Sequence, residues 1–271
     1  MATLKEQWNE VREAKQSNII AGVDPAVFDV GRGDKGLSEG KNKLEWCIEY
    51  IDAVAPYVAG IKPNAGYFGD VGEREVLKQV IAHAESLGLV VIVDAKVAEI
   101  GATADAWLYD YAQLGADTVT LAPYAGNIPE MIELAHGRGM SAITMGLMSN
   151  PEYKRERDFV HPGTDEPLWK YRVRTALEAG VDGIVVGGTY TTEDKDFVDF
   201  VDMTNESDVL YLIPGIGHQG GEVGAFLASG IDKARCMVNS SRGLMFPNGS
   251  NSTPDEQARA AQELRDSFNN E

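Results

Sequence analysis

Apolar residues in this chain fall in short β-branched runs, separated by stretches whose apolar positions repeat with a helical period. Eight runs read as strands: "NIIAGVD" (18–24), "VAGIKP" (58–63), "LVVIVDAK" (89–96), "DTVTLAP" (117–123), "SAITMGL" (141–147), "DGIVVGG" (182–188), "VLYLIPG" (209–215) and "RCMVNSS" (235–241). Helices are expected near 41–56, 72–87, 103–114, 128–138, 168–179, 193–203, 220–229 and 255–268. Four helix-to-strand joins carry glycine, in "LGL" (87–89), "LGAD" (114–117), "AGVD" (179–182) and "SGID" (229–232). Glycine there suits a left-handed residue closing a helix before the next strand. The opening "MATLKEQWNEVREAKQ" reads as a polar amphipathic helix rather than a signal peptide.

Alternating strands and helices imply a parallel sheet. Eight such units in about 250 residues match a (β/α)8 TIM barrel. The expected organisation is one barrel domain over 1–271, with an extra helix at each end. A doubly wound open sheet would normally carry a GxGxxG turn after its first strand, and "GVDPAVF" is not one. "PNGSNSTP" (247–254) reads as a loop before the last helix.

Composition narrows the function classes. At 271 residues and 44% apolar content, the chain can bury a large core. It has no apolar run long enough for a membrane span. Cys47 and Cys236 are its two cysteines, without CxxC spacing, which predicts a reduced, cytoplasmic protein. The four histidines are scattered, so no metal site is expected. A net charge of −18 disfavours nucleic acid or an anionic membrane as partner. An anionic substrate must then be held by a few local cations and backbone N–H groups.

In a barrel, function sits at the C-terminal ends of the strands. Strand one ends in Asp24, strand two in Lys62, and strand three in Asp94 and Lys96. Residues two apart on a strand share a face, so Asp94 and Lys96 are expected to point together into the barrel top. With Lys62 and Asp24 they form an alternating row of acids and bases, each holding its neighbours ionised. Taken singly, Asp24 reads as a turn residue before Pro25, Lys62 as a snorkelling lysine, Glu99 as an exposed loop charge and Thr103 as a helix N-cap. Four charges at the same end of three successive strands are harder to dismiss. The loops after strands seven and eight, where barrels bind phosphate, are "PGIGHQGG" and "NSSRG". Glycine-flanked N–H groups, Gln219 and the planar guanidinium of Arg242 suit a phosphate dianion. The expected ligand is a phosphorylated small molecule lying across the mouth, with its reacting end near Lys96. The stretch 149–167 and the glycine-rich loop after strand seven are candidate lids.

"GVDP", "GIKPNAGYF", "VDAKVAEIGATADAW", "MSNP", "IPGIGHQGG" and "NSSRG", in that order across 22–243, resemble the orotidine 5′-monophosphate decarboxylase family in its longer bacterial-type branch. The resemblance implies a homodimeric (β/α)8 barrel that converts orotidine 5′-monophosphate to uridine 5′-monophosphate in de novo pyrimidine biosynthesis, without metal or organic cofactor. It implies that Lys96 protonates C6 of the pyrimidine and that Asp94 lies against the departing carboxylate. Lys62 and Asp24 would bind ribose hydroxyls, and Ser149 the pyrimidine edge. Gln219 would bridge base and phosphate, in a loop that also brings Pro214 and Gly220 to the substrate, and Arg242 would bind phosphate. Glu99 and Thr103 would reach into the partner subunit's active site.

The family's pattern has aspartate where this chain has Glu99. The extra methylene moves the carboxylate outward by about 1.5 Å, and a misplacement of that order can cost on the order of 10²-fold in a preorganised site. Two alternatives follow. One is a sugar-phosphate decarboxylase of the same barrel suprafamily, whose members share a DxK strand end but use magnesium. The other is a nucleotide-binding barrel whose catalysis is impaired by Glu99.

Overall fold

A computed structural model describes residues 3–27, 35–215 and 223–271. Nine of its strands pair in parallel throughout one sheet, and a further short strand, Pro247–Ser250, lies outside that sheet where only a loop was expected. The nine are β1 (Ile19–Val23), β2 (Gly60–Pro63), β3 (Val90–Val91), β4 (Val93–Val97), β5 (Thr118–Leu121), β6 (Ser141–Leu147), β7 (Gly183–Val186), β8 (Leu210–Pro214) and β9 (Cys236–Ser240). Eight runs become nine strands because the third is split at Ile92. Its first half, β3, pairs with β2, and its second half, β4, pairs with β5. The Ile92 N–H donates to Ile61 O at 3.0 Å and Asn64 bridges Asp94, which brings the two edges of the sheet together. The result is the expected (β/α)8 barrel.

Alternation along each strand separates two apolar clusters. Ile19, Ala21, Val23, Val91, Val93, Val119, Leu121, Ile184, Val186, Tyr211, Ile213 and Val238 face the surrounding helices. Ile20, Val90, Ile92, Ile143, Val185, Leu210, Leu212 and Met237 fill the lumen. Each such side chain, once buried, contributes roughly 1.5–3 kcal/mol. The N-terminal helix, Leu4–Lys15, covers the lower end of the lumen. It starts on a capping box of Thr3 and Glu6, then inserts Leu4 and Trp8 into the lumen cluster. The Trp8 indole N–H donates to Ala234 O at 2.8 Å, just before β9.

The helix expectations hold to within a few residues, from Lys43–Val54 to Pro254–Asn270. The helix expected at 220–229 is described from Val223 to Leu227. Gly88, Gly115, Gly180 and Gly230 all have φ between +68° and +92°, the left-handed helix closure expected of them. Thr103 departs from expectation. The helix Gly101–Gln113 has Ile100 at its N-cap, without a side-chain cap, so Thr103 lies inside the first turn and is exposed. Gly101, with φ +51°, starts that helix two residues earlier than the apolar period suggested. Short helices at Tyr153–Arg157 and Arg242–Met245 were not expected.

Candidate active site

At the upper end of the lumen the same inward positions turn polar. Asp24, Lys62, Asp94, Thr120 and Asn239 are all buried. The Asp94 carboxylate is the hub. Its Oδ2 accepts from Lys62 Nζ at 2.7 Å. Its Oδ1 accepts from Lys96 Nζ at 2.5 Å and from the Thr120 hydroxyl at 2.9 Å. Burial on its own pushes the Asp94 carboxyl up, but the two ammonium groups and their hydrogen bonds outweigh it and bring it down to about 2. Lys62 is buried within the cluster, whereas the Lys96 side chain keeps 47% of its surface exposed and faces the mouth. Asp24 stands at the end of β1, two residues beyond Gly22, which is in register with Lys62.

The backbone at Lys96 is unusual. Among the described residues, Lys96 (φ +46°) and the helix-closing Gln16 (φ +48°) are the two non-glycine residues with positive φ. That conformation costs about 1–2 kcal/mol for a residue with a side chain. It persists where the surroundings over-determine it, often at functional sites. Here the cause is a bulge. Val93 is in register with Val119 and Val97 with Leu121, so four steps on β4 match two on β5. Two inward side chains, Asp94 and Lys96, therefore face the one inward residue Thr120. The Lys96 N–H donates to the Thr120 hydroxyl at 2.9 Å. Simple alternation predicted that the two charges point together. The bulge is what makes room for both.

Two loops reach this mouth by close approach to glycines. A Cβ on Gly22 would lie 1.9 Å from Ser241 Oγ, so glycine lets the segment leading into Arg242 lie against β1. A Cβ on Gly187 would lie 2.6 Å from Ser149 Cβ, so glycine after β7 leaves space for Ser149 after β6. Arg242 is exposed at the start of its short helix. Among the described residues it makes no salt bridge. Pro214 ends β8, and its carbonyl accepts from Gly188 N at 3.0 Å. Gln219 and Gly220 lie outside the described residues. Glu99 and Thr103 are both exposed, away from the cluster of their own chain, beside Ile100, which is 58% exposed. The 149–167 segment is tied at its base: Tyr153 and Tyr190 donate to the carbonyls of Gly146 and Met148, both at 2.8 Å. Thr120 and the glycines at 22 and 187 escaped sequence reasoning. The available signal was a polar residue at an inward position of "DTVTLAP".

The profile of the orotidine 5′-phosphate decarboxylase / HUMPS family matches residues 17–244. The chain belongs to this family. It is 30% identical to the orotidine 5′-phosphate decarboxylase of Natronomonas pharaonis over 91% of this chain and 89% of that one. It is also 30% identical to that of Bordetella petrii, over 98% of each chain. Among solved structures, the fold resembles Leishmania donovani OMP decarboxylase with a TM-score of 0.77, at 23% identity, covering 99% and 98% of the two chains. It resembles orotidine 5′-phosphate decarboxylase from Pyrococcus horikoshii with a TM-score of 0.65, at 20% identity, covering 92% and 98%. Among the described residues, no helix is long and apolar enough to cross a membrane.

Proposed function

We propose that this protein is a cytoplasmic decarboxylase that converts orotidine 5′-monophosphate to uridine 5′-monophosphate in pyrimidine biosynthesis. The observation that carries the proposal is the Asp94 carboxylate braced between Lys62 and Lys96 at the barrel mouth. Loss of carbon dioxide leaves an electron pair on C6 of the pyrimidine. The Lys96 ammonium, fixed beside that carbon, stabilises the developing charge and then gives its proton to C6. Asp94 lies against the departing carboxylate, and Lys62 and Asp24 hold the ribose hydroxyls. Ser149 meets the pyrimidine edge. Arg242 and Gln219, with the Gly220 backbone N–H, hold the phosphate and align the distant reacting end, and Pro214 lines the substrate site.

The whole chain acts as one barrel domain in a homodimer. The exposed run Glu99, Ile100, Thr103 and Trp107, with Ile100 58% and Trp107 39% exposed, fits a buried partner face. From it Glu99 and Thr103 enter the neighbouring site. The sugar-phosphate reading is less favoured, because both Asp94 oxygens already accept from ammonium groups where a divalent cation would need them.

The test is an assay of carbon dioxide and uridine monophosphate release by purified wild type and Lys96→Ala. Wild type is expected to turn over and Lys96→Ala to lose at least on the order of 10²-fold in kcat while still binding uridine monophosphate. Normal turnover by Lys96→Ala would overturn the proton-donor role. Uridine monophosphate binding with no wild-type turnover would favour the impaired, binding-only alternative. Mixing Lys96→Ala with Glu99→Ala protomers tests the shared site. Random exchange should restore about a quarter of the sites, and no restoration would remove Glu99 from the partner's site.

A further inference from the structure

The geometry points to Thr120 as a positioning residue for this reaction: one hydroxyl holds Lys96 in its left-handed bulge and fixes the direction of the Asp94 carboxylate. The inference rests on the reading of Lys96 as proton donor. Across the bulge, β5 has a single inward residue opposite two on β4. Its hydroxyl bonds in both directions, accepting from Lys96 N–H at 2.9 Å and donating to Asp94 Oδ1 at 2.9 Å. Thr120 is 1% exposed, so water cannot readily replace either bond.

An apolar side chain at 120 leaves the Lys96 N–H without its acceptor and takes from Asp94 Oδ1 one of its two donors, so that the Lys96 ammonium alone holds that oxygen. The bulge then loses the bond that over-determines it, and Lys96 can relax toward extended backbone. That shift moves the base of the lysine stem and with it the ammonium. Lys62 still holds the other Asp94 oxygen, so the substrate cradle survives. The effect should fall on the chemical step rather than on binding.

Steady-state kinetics of Thr120→Val, Thr120→Ser and Thr118→Val with orotidine 5′-monophosphate, beside a crystal structure of Thr120→Val, test this. Thr118 is an equally buried inward threonine on the same strand and serves as the control. Thr120→Val is expected to lower kcat on the order of 10²-fold with KM within a few-fold of wild type. Thr120→Ser should recover most of it, and Thr118→Val should be near wild type. In the Thr120→Val crystal, Lys96 should leave the left-handed region. Unchanged kcat, an equal loss in Thr118→Val, or Lys96 still near φ +46° in Thr120→Val would each overturn the inference. Should Thr120→Val fail to fold, Thr120→Ala is read the same way. If wild type has no turnover, the decarboxylase reading fails by itself, and the Lys96 conformation still decides whether Thr120 holds the bulge.

Discussion

The lower and upper ends of the barrel lumen are built by the same strands and the same alternation, yet they solve opposite problems. Below, Ile20, Ile92, Ile143, Leu212 and Met237 close on Leu4 and Trp8 of the N-terminal helix. Above, Asp24, Lys62, Asp94 and Thr120 are buried at positions that continue the same inward faces. The lower end gains stability from every side chain it excludes from water. The upper end buries charge beside a left-handed, half-exposed lysine, and needs a hydrogen-bond partner for each group it hides. The split of the third strand at Ile92 lies between the two regimes: β3 serves the packed end, β4 the charged one.

Trp8→Ala should produce the largest change in stability. It empties the floor of the lumen and removes the bond to Ala234, which should cost about 3–5 kcal/mol in denaturant unfolding. Activity per folded molecule should stay near wild type, since the mouth is untouched. A large fall in kcat with little loss of stability would break the division between the two ends.

Asp94→Asn should come next, and it probes the opposite end. Removing the shared counter-ion leaves the buried Lys62 unpaired, for a loss of roughly 3 kcal/mol near neutral pH. The Asp94 carboxyl lies at about 2 in the fold against an ordinary 3.8. Its depressed value means that its contribution is complete above pH 3.8 and disappears as pH falls toward 2. The gap in stability between wild type and Asp94→Asn should therefore shrink over that window. A gap that stays constant, or a variant more stable than wild type, would show that the charges at the mouth are a net burden and not a mutually held set.

The two ends also differed in how far they could be read from sequence. Strand–helix alternation and the glycine joins forecast the barrel, because those patterns follow local rules of periodicity and left-handed closure. The lower lumen was legible as apolar runs, although the role of Leu4 and Trp8 in closing it depends on where the first helix docks. The charges of the mouth were legible as strand-end residues. Their arrangement was not: the bulge between Val93 and Val97 exists only in the register with β5. Thr120 matters because of that register, and Gly22 and Gly187 because loops distant in sequence come to lie against them. Thr103 was misassigned for a related reason, since the helix begins at the left-handed Gly101 rather than where its apolar period starts.

Gly187→Ala should have a smaller effect and sharpen the comparison within the mouth. The new methyl would meet the backbone-linked Cβ of Ser149 at 2.6 Å, so the 149–167 segment must shift. Overpacking of this kind typically costs about 1–3 kcal/mol. Its functional signature should be a KM for orotidine 5′-monophosphate raised on the order of tenfold, because Ser149 is displaced while Lys96 and Asp94 stay in place. A fall in kcat at constant KM would instead tie this loop to the chemical step.

Glu99→Asp should change least. The side chain is exposed and, among the described residues, its carboxylate has no hydrogen-bond or ion-pair partner in its own chain. Stability should move by less than about 0.5 kcal/mol, as for other open surface positions. In the proposed homodimer its consequence would fall on the neighbouring site, where the carboxylate of the shorter residue would stop about 1.5 Å short of the position that glutamate reaches. If the loop between Lys96 and Gly101 has adapted to the longer side chain, turnover should fall several-fold in Glu99→Asp, with the monomer fold unchanged. A large gain in turnover would mean the reverse: that the extra methylene holds this chain below the activity its mouth is built for, and that Asp94 and Lys96 are positioned correctly while the group supplied from across the interface is not.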